Sequence, residues 1–217
     1  ERAHVERVVV QPLGVDVGLF NPSRALADVR RRLGLPERAR LLVFAGRAAL
    51  EKDLPVLIET VERLGDPYWL ILIGGYASAR SCRRVRILPW IADGAELAAW
   101  LASCDVFVHA GRQESFGLIA LEALACGTPV ACLEGGALPE IVVPSVGAVA
   151  LRPGAAGLAD AVAELFDRPL AATGEAARRH VLEHYRWDTV FDTLLMHYGR
   201  LLGRGRAPPV EPLPATA

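Results

Sequence analysis

An α/β domain, a parallel sheet with helices on both of its faces, is what this 217-residue sequence predicts. Short apolar runs of strand length alternate with helical stretches, the runs are apolar throughout rather than at every second residue, and hydrophobic residues make up 52% of the chain. A strand that is apolar on both faces needs cover on both, and the helical crossovers between parallel strands supply it. An apolar face meant for another domain is a second use of the same excess, compatible with the first.

The segments follow in order. Glu1 to Arg40 holds one strand-like run, Val8 to Val10, then a Gly/Pro-rich connection and a helix candidate near Ala25 to Leu33. The alternation proper runs through Leu41 to Ala45, Leu54 to Leu64, Trp69 to Gly74, Val85 to Leu88 and Leu97 to Leu101. It continues with Asp105 to His109, Leu118 to Ala125, Pro129 to Leu133, Leu138 to Val142 and Gly147 to Leu151. From there the pattern is helix only, over Gly157 to Phe166, Ala171 to Tyr185 and Trp187 to Leu202, expected to pack beside the sheet. Gly203 to Ala217 carries Pro208, Pro209, Pro212 and Pro214 and is expected to be a disordered tail. The division is thus a linker segment over 1–24, a Rossmann-like domain over 25–202, and the tail over 203–217. No internal repeat is visible.

Composition excludes several classes. Lys and Arg number 24 against 25 Asp and Glu, a formal net charge of −1, so there is no basic surplus to neutralise nucleic-acid phosphates. Cys82, Cys104, Cys126 and Cys132 form no C-x-x-C pair and read as small buried hydrophobes, indicating neither zinc nor a disulfide scaffold. Runs such as Trp69 to Ile73 fall far short of the roughly 18 apolar residues of a membrane span.

Two clusters could carry chemistry. Gly46-Arg47 follows the first strand of the alternation and Glu51-Lys52 precedes the next helix. In a wound parallel sheet, ligands bind at the carboxyl ends of strands, where these cations and a helix N-terminus would converge on an anion such as a diphosphate. Taken alone, Arg47 and Lys52 read equally well as solvated loop charges. The dinucleotide fingerprint G-x-G-x-x-G is absent after this strand, which speaks against nicotinamide or flavin chemistry. The stronger cluster is Glu114-Ser115-Phe116-Gly117-Leu118 leading into Glu122. Amides at Phe116, Gly117 and Leu118 can hold phosphate oxygens, and the two carboxylates can accept from the hydroxyls of a sugar or a ribose. The bland alternative makes both glutamates surface acids that complement a helix dipole. His109, at the end of its strand, reads as a satisfied core histidine, and Arg30-Arg31-Arg32 as a solvated helix face.

The stretch GRQESFGLIALEALACGTPVACLEGGALPEIV, with Glu114 and Glu122 separated by seven residues, resembles the E-x7-E signature of retaining GT-B glycosyltransferases of family 4. PLGVDVGLFNP at Pro12 to Pro22 resembles that family's interdomain segment, GRAALEK at Gly46 to Lys52 its diphosphate loop, and LIGGY at Leu72 to Tyr76 its second-strand turn. HYRWDTVF is similar to its C-terminal helical segment, where Tyr185 and Trp187 would pack against the sheet. The resemblance covers about residues 8 to 200. Asp53 departs from it, standing where the family often has Gly, and leaves the shape of that helix start in question; the connection Tyr76 to Arg84 is short and lacks a clear helix.

The resemblance implies one half of a GT-B fold, the donor-binding half, as a fragment or cleavage product whose partner is its own N-terminal acceptor domain. It implies a metal-independent hexosyltransferase, with no D-x-D motif and no resident cofactor, and no complete active site in this chain. The donor would be a nucleotide-diphosphate sugar, GDP-mannose by closeness of wording to bacterial mannosyltransferases, with UDP-sugars next, and the acceptor a glycan or lipid-linked glycan. Carried over, Arg47 and Lys52 take the diphosphate and stabilise the leaving group, and Glu114 contacts the transferred sugar. Glu122 bonds the ribose, Phe116, Gly117 and Leu118 offer amides, and the base lies against Leu88 to Ile91. Gly46 and Gly74 line the same edge. A cytoplasmic location follows, with peripheral contact at the inner face of a membrane left open. Other readings stay open as well: a sugar-nucleotide epimerase or a phosphorylase of like architecture, or a nucleotide-sugar-binding module without turnover.

Overall fold

A computed structural model describes residues 8–76 and 82–202; the expected tail over 203–217 and most of the connection after Tyr76 lie outside them. Six strands form one sheet: β1 (Arg40–Ala45), β2 (Tyr68–Ile73), β3 (Val85–Leu88), β4 (Val106–His109), β5 (Val130–Leu133) and β6 (Gly147–Ala150). Their order is β3-β2-β1-β4-β5-β6, and every neighbouring pair is parallel. Helices are α1 (Val29–Arg32), α2 (Leu54–Leu64), α3 (Gly94–Ser103), α4 (Leu118–Ala125), α5 (Leu138–Ile141), α6 (Gly154–Phe166), α7 (Leu170–His184) and α8 (Trp187–Leu201). α2 and α6 pack together on one side, while α3, α4 and α7 pack in sequence on the other. The strands are sealed between them: Leu41 to Ala45 and Leu70 to Ile73 are buried along their whole length, which is why these stretches are uniformly apolar.

The two central strands are fixed at their starts by one ion pair. Arg30 donates to both oxygens of Asp105 at 2.9 and 2.7 Å and to the Ala39 carbonyl at 2.7 Å. Asp105 also accepts from the Leu41 amide at 2.6 Å, so a single carboxylate sets the approach of β1, β4 and α1. Arg30 therefore turns inward, whereas the sequence places it on a solvated face. Arg178 of α7 performs the same service for the leading segment, donating to the carbonyls of Val17 and Phe20 and to Ala125 at the end of α4.

Three expectations are corrected. Val8 to Val10 form no strand and stand more than half exposed, because a β-branched run without a neighbouring strand has nothing to pair with. Over Ala25 to Leu33 only the single turn of α1 is helical, after a 3-10 turn at Pro22–Arg24, since Asp28 takes a left-handed backbone (φ 55°) that interrupts any longer helix. Trp187 lies over Gly14 of the leading segment and stacks on Phe191, and α8 buries Val190 alone among its residues. The remaining elements stand where the pattern puts them, within one to three residues.

Removing the Asp105 carboxylate leaves Arg30 and the Leu41 amide unpaired. Asp105→Ala is expected to lower unfolding free energy by about 3 kcal/mol, and Asp105→Asn by less, in urea titrations followed by circular dichroism.

Candidate functional site

The sheet order reverses between β1 and β4, β1 passing on to β2 and β4 to β5, so the loops at their carboxyl ends diverge and leave a crevice. The loop after β1 begins at Gly46, whose amide donates to the Ile73 carbonyl at 3.0 Å. The Tyr76 hydroxyl, driven to a high pKa by burial, donates to the Gly46 carbonyl at 2.6 Å. A Cβ at Gly74 would stand 1.9 Å from that same carbonyl, so the tips of β1 and β2 approach as closely as backbone permits. Amides of Gly74 and Gly75 donate to the Leu88 carbonyl, which fastens the stretch after β3 to this turn. Ile91 packs against the core there and Trp90 is exposed.

Beyond Gly46, Arg47 is largely solvated and bonds Glu51 at 3.0 Å. A 3-10 turn, Leu50–Lys52, leads to Asp53, whose φ of 48° is left-handed, and α2 starts at the following residue. Asp is one of the few residues besides Gly that tolerate this backbone, so the helix start keeps a regular shape with Asp53 in place.

The loop after β4 starts with His109, which is fully buried. Its Nδ1 accepts from the Gly111 amide at 3.0 Å, which leaves the hydrogen on Nε2 for donation to Glu114 Oε1, also 3.0 Å away. Lys52 Nζ bonds that same oxygen. The two loops touch at Gly111, where a Cβ would come within 2.5 Å of the Glu51 carbonyl, and this contact brings Lys52 and Glu114 together across the crevice. The His109 bond first, and Lys52 with it, hold the Glu114 carboxyl at about 2 against the opposing effect of burial.

Glu122 is opposite in character. It sits on α4, mostly buried and without a side-chain hydrogen bond among the described residues, and burial raises its carboxyl from 4.5 to about 7. Gly117, with φ 90°, precedes α4, and the amides of Phe116, Gly117 and Leu118 find no acceptor among the described residues. The Phe116 ring meets Tyr185 edge-on, which ties this loop to the end of α7.

The structure therefore gathers Gly46, Lys52, Gly74 and Glu114 at the crevice, with Leu88 fastened to the Gly74 turn. Arg47 is turned to Glu51 instead, and Glu122 makes no hydrogen bond to the Glu114 cluster. His109 is buried and satisfied as expected, but its partner is the site's own glutamate, five residues on. Its place at a strand tip on the ligand edge was the available signal. Tyr76, directly after the Gly-Gly turn, is a second supporting residue that sequence reasoning passed over. An open hollow of about 450 Å³ beside α7, lined by Pro22, Gly127, Gly174 and Arg178 among others, shares no residue with this crevice.

Because the native Glu122 keeps its proton to higher pH than the unfolded chain does, its stabilising share is whole below about 4.5 and is lost as pH rises through 7. Glu122→Gln is accordingly expected to raise stability by about 1 to 2 kcal/mol at pH 8 and to change little at pH 4, in thermal melts across that range.

Residues 39–168 match a family model described as Glycosyl transferases group 1. A D-inositol 3-phosphate glycosyltransferase of Xylanimonas cellulosilytica is 34% identical over 226 residues, covering 93% of this chain and 53% of the relative. A GDP-mannose-dependent alpha-(1-6)-phosphatidylinositol dimannoside mannosyltransferase of Mycobacterium tuberculosis is 36% identical over 211 residues, covering 93% and 54%. Among solved structures, sucrose-phosphate synthase from Thermosynechococcus elongatus superimposes with a TM-score of 0.76 at 26% identity, covering 91% of this chain and 53% of that one. The chain spans about half the length of the curated relatives it matches.

Proposed function

The chain belongs to the glycosyl transferases group 1 family, and from that premise we propose that it is the donor-binding half of a retaining hexosyltransferase. The full enzyme would move a hexose from a nucleotide-diphosphate sugar to a glycan or lipid-linked acceptor, with a separate acceptor domain completing the active site. The observation that carries this is the meeting of Lys52 and Glu114 across the crevice between β1 and β4, beside the free amides that begin α4.

Each group has a task in that reading. Lys52 and Arg47 neutralise the diphosphate and the charge that grows on it as the sugar departs. The Phe116, Gly117 and Leu118 amides, at the positive end of α4, add donors to the same phosphates. Side-chain cations and a helix terminus thereby supply the positive charge at the leaving group. Glu114, ionised, accepts from hydroxyls of the transferred sugar. Glu122 bonds the ribose hydroxyls from the second turn of α4, and the base rests on the backbone from Leu88 to Ile91. The closeness of the β1 and β2 tips at Gly46 and Gly74 leaves room for the donor against bare backbone. Retention follows from attack on the face the phosphate leaves, with the departing phosphate taking the acceptor's proton. GDP-mannose is the favoured donor, in keeping with the mycobacterial relative's name. No helix among the described residues is long and apolar enough to cross a membrane.

Titration calorimetry with GDP, UDP and ADP, each beside its sugar nucleotide, tests the assignment. One base should bind selectively, and Lys52→Ala and Arg47→Ala should each weaken both ligands of that base about tenfold. Glu122→Ala should weaken them equally, whereas Glu114→Ala should weaken only the sugar nucleotide. Unchanged affinity in both Arg47→Ala and Lys52→Ala would falsify the donor-site reading.

A further inference from the structure

Two donors share one oxygen of Glu114, and they differ in freedom. Lys52 reaches Oε1 on a flexible stem from the loop after β1. His109 reaches it from a strand end, fully buried, with the Phe44 ring edge-on at 5.6 Å and the Phe107 ring stacked at 6.4 Å. Its far nitrogen is held by the Gly111 amide, so neither the ring's orientation nor its tautomer is free to change. Gly111 is itself confined, since a Cβ there would meet the Glu51 carbonyl at 2.5 Å and His109 at 2.7 Å. The second oxygen, Oε2, has no hydrogen-bond partner among the described residues.

We propose that His109 is a positioning residue that keeps Glu114 ionised and aimed while Lys52 leaves it for the donor's diphosphate. The destination of Lys52 rests on the donor-site reading above; the hold of His109 on Glu114 does not. Lys52 and Glu114 are each only 16% exposed and satisfy one another. A diphosphate draws the ammonium away, and a carboxylate this enclosed would then be left without a cation and prone to take up a proton. A protonated Glu114 accepts fewer hydrogen bonds from a sugar. His109 stays in place through the exchange and keeps Oε1 engaged, so Oε2 remains a free acceptor in a fixed direction. The donor's two halves are thereby served by one cluster: the lysine goes to the phosphates, and the glutamate it releases stays charged for the sugar. Among the described residues, His109 and Lys52 are the charged or titratable groups that act on Glu114 from the elements packed around it.

Carboxyl carbon NMR of Glu114, followed against pH in variants of this chain, tests the hold directly and without any donor. Lys52→Met imitates the departed lysine, and Glu114 should still titrate at least about one pH unit below 4.5. Adding His109→Leu should move it up by at least about one further unit, and His109→Gln, whose amide can reach the same oxygen, should restore most of the shift. If His109→Leu disturbs folding, His109→Asn keeps a polar group against Gly111 yet falls short of Glu114, and should behave like Leu. Lys52→Met alone carrying Glu114 to 4.5 or above would overturn the proposal, as would a low value that persists when His109 is replaced by Leu or Asn. GDP-mannose added to the parent chain examines the donor reading separately. Failure of it and of the UDP and ADP sugar nucleotides to bind would remove that reading while the NMR result on His109 stood or fell by itself.

Discussion

A sheet whose strands all run one way has to be covered on both faces, and the rest of this molecule follows from that requirement. Helices from the connections and from the C-terminal run supply that cover: α2 and α6 roof one face while α3, α4 and α7 roof the other. Every strand then ends on the same side of the domain. The reversal of order between β1 and β4 parts the loops there, and the crevice it opens is framed by residues that the core holds rigid from behind. Asp105 matters for this reason: by setting the starts of β1 and β4, it sets how far apart their ends can lie.

Glu114 at that crevice and Glu122 on the following helix live in opposite environments. Glu114 lies in a loop between an imidazole and an ammonium and is an ion far into acid, while Glu122 is sunk among helix neighbours without a donor and sits at the edge of neutrality. The first condition suits a permanent acceptor. The second suits a carboxyl that is completed by a ligand, because a donor arriving from outside relieves the cost of its burial. The fold bears that cost at a position where a surface acid would bear none.

Much of this was legible because it is written in local pattern. The stretches 54–64, 85–88 and 118–125 carry both their apolar character and their boundary residues, and the structure keeps their ends. Val8 to Val10 has equal β-character, but a strand exists only with a partner, and pairing is not local. The helix candidate near Ala25 to Leu33 fails through the backbone of one residue, Asp28, whose left-handed turn leaves no clear mark in composition. The same divide runs through the site. Lys52, Glu114 and the Gly46 and Gly74 turns could be placed by their position after strands, whereas the His109–Glu114 bond depends on how a five-residue loop closes. Arg178 and Tyr76 were hidden for the same reason, since what each satisfies is a set of carbonyls remote in sequence or revealed only by the turn.

Val15 and Arg186 form a parallel bridge, and the Val15 amide donates to the Tyr185 carbonyl, so the incoming and outgoing chain run side by side in the same sense at one corner of the domain. Gln11 extends the contact to the Val190 carbonyl, and Trp187 closes over Gly14. Mechanically this is a double tether. Neither segment can peel away from that corner without breaking the bonds that hold the other, so residues 11–15 and 185–190 are fixed as one unit.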